Sequence, residues 1–180
     1  MEMYLLGIDP GPVMTAFAVI DSDSEPGDLV TYGIVENEEF IDMLREFDKD
    51  TKAAMEMVAS YGMAVGKTVF ETCRWIGRFD EVIKNRLGSY PVTIYRKSPN
   101  KKLDIPSVAM ELCKSTRAKD ANVRQALLDM YPAEGGGKCP QVGTKKQPGP
   151  LFGVSKDVWA ALGVAHTFKA WLKRKGMLNE

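Results

Sequence analysis

The chain has 180 residues, enough for one well-buried domain and short for two, and its 44% hydrophobic and 27% charged residues exclude a disordered chain. Lys plus Arg number 24 and Asp plus Glu number 24, so the net charge is zero and an evenly basic nucleic-acid-binding surface is excluded, though not a local one. No stretch approaches the roughly 20 apolar residues of a membrane span, the N-terminus lacks the pattern of a secretory signal, and Cys73, Cys113 and Cys139 are too widely spaced for a zinc pattern, which together point to reduced thiols in a cytoplasmic protein.

Tyr4 to Ile8 reads as a buried strand running into a tight turn at Asp9-Pro10-Gly11-Pro12. Ala16 to Ile20 and Leu29 to Val35 follow as two further strands, separated by a polar loop, and the three suggest an antiparallel meander. Phe40, Ile41, Leu44 and Phe47 have helical spacing. Ala53 to Ala59 is apolar except for Glu56, the pattern of a short central strand with one carboxylate set in it. Val65 to Leu87 is helical, with Gly77 as a weak point or close-contact point. Pro91 to Tyr95 is a strand, the basic run from Arg96 a loop or strand extension, and Ser107 to Leu112 a short helix or strand. Asp120 can cap a helix that ends before Pro132. Residues 133–153, rich in Gly, Pro and Lys, fit no regular element and are expected to form a flexible loop; a last helix runs from about Ser155 to Lys173. Antiparallel strands followed by alternating strands and helices predict a single α/β domain spanning 1–180, with a central mixed sheet flanked by helices on both faces.

Three acids stand out. Asp9 closes the first strand; a turn Asp before Pro-Gly is the plain alternative. Glu56 interrupts an apolar strand, which is costly unless the carboxylate is paired or binds a metal, although a bulge or edge position would also accommodate it. Asp157 lies at the start of the last helix, where an acid is favourable for electrostatic reasons alone. In combination the three fit a cluster of oxygen ligands for hard cations, and two Mg²⁺ ions about 3.5–4 Å apart can activate water and stabilise the leaving oxygen of a phosphodiester. The chain's one histidine, His166, sits deep in the last helix and is expected to be packed, and there is no GxSxG, Walker A or HExxH motif to support another chemistry.

The chain resembles the RuvC-type Holliday-junction resolvases, above all their phage-encoded members. Leu6-Gly7-Ile8-Asp9-Pro10-Gly11 is similar to the family's first-strand motif, Met55-Glu56-Met57-Val58 to its central-strand glutamate, and Ala160 to Ala165 to its final helix, with Asp157 one turn earlier. Residues 66–79 and 119–124 also resemble the phage branch. The resemblance implies a ribonuclease H-like fold, a homodimer, and Mg²⁺-dependent cutting of four-way junctions or other branched DNA, with Mn²⁺ also expected to support activity. It implies Asp9, Glu56 and Asp157 as catalytic metal ligands and Lys119 near a DNA-contacting position. It departs from cellular members at Ala160, where they carry a second acid, so the fourth ligand is open; Asp120 is a candidate substitute, a helix cap its competing role. The expected phosphate-binding face comprises Lys119, Arg124, Lys145 and Lys146 with Lys97, Lys101 and Lys102, each of which could equally be a solvated surface group. The helix from Val65 to Leu87 carries more apolar surface than one face needs (Val69, Cys73, Trp75, Ile76 and Phe79), which suits a dimer interface. The competing functions are another ribonuclease H-like nuclease or ATPase, and a DNA-binding relative without catalysis.

Overall fold

The computed structural model describes residues 3–60, 62, 64–98 and 106–178. Its elements are β1 (Tyr4–Pro10), β2 (Met14–Asp21), β3 (Leu29–Glu36), α1 (Asn37–Glu46), β4 (Lys52–Met57), α2 (Lys67–Leu87), β5 (Val92–Tyr95), α3 (Val108–Cys113), α4 (Asp120–Met130) and α5 (Val158–Arg174). The strands form one sheet in the order β3-β2-β1-β4-β5. Strands β1 to β3 pair antiparallel as the expected meander, whereas β4 pairs parallel with β1 and β5 parallel with β4. The first strand is therefore the middle of the sheet, and Asp9 stands near its carboxyl end.

Strand alternation sorts the sheet's side chains into two cores. Leu5, Ala18, Ile20, Ala54 and Ile94 pack with Val108, Val123, Leu127, Leu162 and Phe168, so α3, α4 and α5 cover one face. Leu6, Ile8, Phe17, Ala53 and Met55 pack with Phe40, Leu44, Ile76, Phe79 and Ile83, so α1 and α2 cover the other. This is an α/β fold with helices on both faces of a mixed sheet, as the order of elements predicts, in the ribonuclease H-like arrangement that the resemblance implies.

Helix α5 lies directly on the central strand because Gly7 lets it. A Cβ on Gly7 would land against the carbonyl oxygen of Ala161 and 2.5 Å from the backbone nitrogen of Ala165. Helix α5 is buried along most of its length, and His166 within it is 2% exposed and hydrogen-bonded to the Tyr131 hydroxyl at 2.8 Å, a packed histidine as expected. Burial holds its imidazole neutral by lowering its pKa to about 3. Lys169, 4% exposed, donates to the carbonyls of Ser24 and Pro26 and so ties the β2–β3 loop to α5.

Three local expectations change. Residues 133–153 contain no helix or strand, yet they are not structureless. Gly135 N donates to Pro140 O (2.8 Å), Gly136 N to Gln147 O (2.9 Å) and Gly149 N to Val142 O (3.0 Å), closing the segment on itself. The glycines permit this closure: a Cβ on Gly135 would stand 2.6 Å from Gly143 Cα and 2.7 Å from Pro140 O. Asp120 does not cap α4; Lys119 holds the cap position, and its N–H donates to Asn122 Oδ1 at 2.9 Å. Gly77 is not a close-contact point, since a Cβ there would meet nothing within 4 Å among the described residues.

Candidate active site

The parallel register brings the two strand acids side by side. Ile8 is the partner of Met55, so the next residues, Asp9 and Glu56, are level across β1 and β4. Asp9 follows Leu5 and Gly7 by steps of two, and Glu56 follows Ala54 in the same way, so both carboxylates project from the face covered by α5. Asp157 is the N-cap residue of α5 and is exposed; it sits just outside the helix. Its charge still reaches Asp9.

A cation, Arg96, neighbours the two acids, and sequence reasoning missed it. It lies two residues beyond Ile94, which faces the same core as Leu5 and Ala54, and one residue past the end of β5. Glu56 is level with Ile94 across β4 and β5, so the guanidinium belongs to the neighbourhood of both acids. Its Nε donates to Asp120 Oδ1 at 3.1 Å and its Nη2 to the same oxygen. The available signal was a basic residue at the carboxyl end of the strand next to the one bearing Glu56.

Burial dominates the electrostatics. Asp9 is pushed up from 3.8 to about 8, first by desolvation, then by the charges of Glu56 and Asp157, with Arg96 pulling the other way. Glu56 is pushed up from 4.5 to about 7 by desolvation, opposed by Arg96 and aided by Asp120. Glu56 Oε2 is buried with no hydrogen-bond partner among the described residues. A buried carboxylate oxygen without a donor is costly and calls for a proton or a cation. The donor set, carboxylate oxygen alone, suits Mg²⁺ or Mn²⁺. Among the described residues, however, no three acidic, histidine or cysteine side chains are disposed to hold a single ion. Asp9 and Glu56 are brought together; Asp157 stands at the rim.

Two further residues shape the turn behind Asp9. Asn37, 2% exposed, accepts from the Thr15 hydroxyl at 2.6 Å and donates from Nδ2 to Gly11 O at 3.0 Å, while its backbone N–H donates to Val13 O at 3.0 Å. The start of α1 thereby fixes the Pro10-to-Val13 turn that follows the first acid.

The expected DNA-contacting residues are dispersed. Lys119 and Arg124 are exposed at the N-terminal half of α4, next to Asp120, and the Arg124 guanidinium lies 5.0 Å over the ring of Trp159 in the first turn of α5. Lys145 and Lys146 are exposed at the tip of the turn closed by Thr144 and Gln147. Lys97 is partly buried, and Lys101 and Lys102 lie outside the described residues. On α2, Ile76 and Phe79 belong to the core, so of the five apolar residues expected at an interface only Cys73 is exposed, with Val69 and Trp75 partly so. Phe70, which the sequence pattern did not single out, is 62% exposed.

Asp120 offers one carboxylate oxygen, Oδ1, to Arg96 in an ion pair. Ala160 is partly buried within α5.

No protein-family model matches the chain, and no curated protein matches it by sequence. Solved structures do. The chain is similar to Thermus thermophilus RuvC, with a TM-score of 0.65 at 16% identity, covering 98% of this chain and 99% of that one. It is also similar to T. thermophilus RuvC in complex with Holliday junction substrate, with a TM-score of 0.61 at 16% identity and 98% of both chains covered. The shared architecture extends over the whole length of both chains and establishes the fold.

Proposed function

We propose that this chain is a metal-dependent, structure-selective endonuclease that cuts phosphodiester bonds in Holliday junctions and other branched DNA, a phage-type relative of the RuvC resolvases. The observation that carries the proposal is the pair Asp9 and Glu56, level on adjacent parallel strands and on the face covered by α5, with Glu56 Oε2 buried and unpartnered. The full-length likeness to a RuvC bound to a Holliday junction supports the choice of substrate.

Asp9 and Glu56 would hold Mg²⁺, or Mn²⁺ in its place, with Asp157 joining them by turning inward from the rim. The ion would supply activation of water and stabilisation of the departing oxygen. The chain's own part is to exclude water with the α5-facing core, to hold the two strand carboxylates at a fixed separation, and to offer cations to the backbone of the DNA. Lys119 and Arg124 on α4, and Lys145 and Lys146 on the turn before α5, are the proposed phosphate contacts. Paired cuts need two sites at a fixed spacing, which a two-fold homodimer provides. The exposed Phe70 and Cys73 support α2 as its proposed interface.

A DNA-binding relative without catalysis is the second reading, favoured by the exposed Asp157, which leaves the acid cluster open among the described residues. One assay decides between them: incubation of a labelled four-way junction and a matched linear duplex with the protein and Mg²⁺. Symmetric nicks in the junction, lost in Glu56→Gln while junction binding persists, support the nuclease. Intact junction at stoichiometric protein in both Mg²⁺ and Mn²⁺ overturns it.

A further inference from the structure

We infer that Arg96 is a phosphate-binding residue of the cleavage site, its Nη1 donor, unpartnered among the described residues, taking a non-bridging oxygen of the phosphodiester that is cut. The inference rests on the nuclease function proposed above.

Strand alternation puts Arg96, two residues beyond Ile94, on the side of the sheet that carries Asp9 and Glu56. The guanidinium is held: Nε and Nη2 both donate to Asp120 Oδ1, which fixes its plane from the first turn of α4. The third nitrogen is different. Nη1 is buried and has no hydrogen-bond partner among the described residues. Arginine is a rigid fork of donors, so anchoring two nitrogens sets the direction of the third. A buried donor without an acceptor carries a desolvation cost, and an anion with several lone pairs relieves it.

The site's charge identifies that anion. Asp9, Glu56, Asp157 and Asp120 line the site with acidic groups, and an approaching phosphodiester meets repulsion from each that is ionised. Arg96 is the cation whose charge both strand acids feel. A guanidinium aimed at a phosphate in a partly desolvated site offsets the repulsion where cutting occurs, which a surface lysine further along the DNA cannot do. The competing role for Arg96 is a purely structural one, tethering α4 to the end of β5 through Asp120.

A cycle between the side chain and the phosphate separates these roles. The cut position is first mapped with wild-type protein and Mg²⁺. Junctions are then made with either a natural phosphate or a neutral methylphosphonate at that position. Binding of each to wild type, Arg96→Lys and Arg96→Met is measured in chelator, alongside thermal melts and cutting rates on the natural junction. Wild type should lose about tenfold or more in affinity on the methylphosphonate junction, relative to the change seen with Arg96→Met. Cutting should fall about 10²–10³-fold in Arg96→Met and less in Arg96→Lys, which keeps the charge without the fork. If Arg96→Met does not fold, the same cycle with Arg96→Lys, whose coupling should lie below that of wild type, carries the test. Identical methylphosphonate effects in wild type and the folded variant would overturn the assignment and leave Arg96 a tether, while the nuclease reading stands. Wild-type protein that cuts no branched or duplex DNA would overturn the nuclease reading and this inference together.

Discussion

Replacing Asp9 by Asn should make the metal-free protein more stable at neutral pH while abolishing its cutting. In the unfolded chain the Asp9 carboxyl ionises near 3.8, but in the fold its proton is retained to about 8 because burial and the neighbouring acids disfavour the charge. Between those limits folding requires proton uptake. The contribution of this group to stability is therefore fully present below pH 3.8 and is lost as the pH rises towards 8. At pH 7 the distance from 3.8, at about 1.36 kcal/mol per pH unit, sets a ceiling of about 4 kcal/mol. Asn keeps the shape and the polarity but has no proton to take up, so about 2–3 kcal/mol of this should be recovered once its own buried amide is counted. In a domain of this size that corresponds to a rise in Tm of about 5–10 °C. Thermal melts of wild type and Asp9→Asn in chelator, from pH 4.5 to pH 8, would read it. The gap between the two should be small at the acid end and widen steadily towards pH 8. Addition of Mg²⁺ should then stabilise wild type and leave the variant unmoved. A variant less stable than wild type at pH 8, or a gap that does not change with pH, would refute the argument that Asp9 is a strained carboxyl awaiting a cation.

The same proton makes metal binding pH-dependent: with Asp9 raised to about 8 and Glu56 to about 7, Mg²⁺ affinity measured by calorimetry should rise from pH 6 to pH 8 with release of protons, and a flat profile would contradict the site. Gly7→Ala should destabilise the chain by about 3 kcal/mol, since the new methyl meets the backbone of α5, and it should slow cutting further by displacing Asp157; a wild-type melting temperature would show that α5 can yield. Replacing Lys145 and Lys146 together by Ala should lower the slope of log binding constant against log salt by about two, and an unchanged slope would remove the 133–153 segment from the DNA face. Sedimentation at micromolar concentration should give a dimer that Phe70→Glu converts to monomer; a monomeric wild type, with and without DNA, would exclude the proposed pairing through α2.

Most of the element order was legible in the sequence because hydrophobic periodicity is local. The three meander strands, the helix of α2 and the long final helix announce themselves through spacing of apolar residues, and Glu56 stands out because it breaks such a run. Asp9 was marked as well, by the strand that leads into it. The boundaries of α5 were less exact, and Asp157 proved to lie at its N-cap, because helix ends are set by hydrogen bonds the sequence does not display. The 133–153 segment looked formless because closure by glycine-glycine approach leaves no periodicity.

What only the tertiary structure decided follows from pairing and register. Strand β4 could have joined either edge of the sheet; its parallel place beside β1 is what sets Glu56 level with Asp9. Gly7 reads in sequence as one residue of a buried strand, and only the packed helix shows that its missing Cβ admits α5. Asp120 looked like a cap, yet its carboxylate is taken by Arg96 from 24 residues away, a contact no local pattern encodes. Arg96 itself was one base in a basic run until the order β1-β4-β5 put it on the same face as the two acids, two residues beyond the position level with Glu56. The sequence determined which residues carry charge and which must be buried; the register of three parallel strands decided which charges meet, because a side chain's face is fixed by local alternation but its neighbours across a sheet are chosen by long-range pairing.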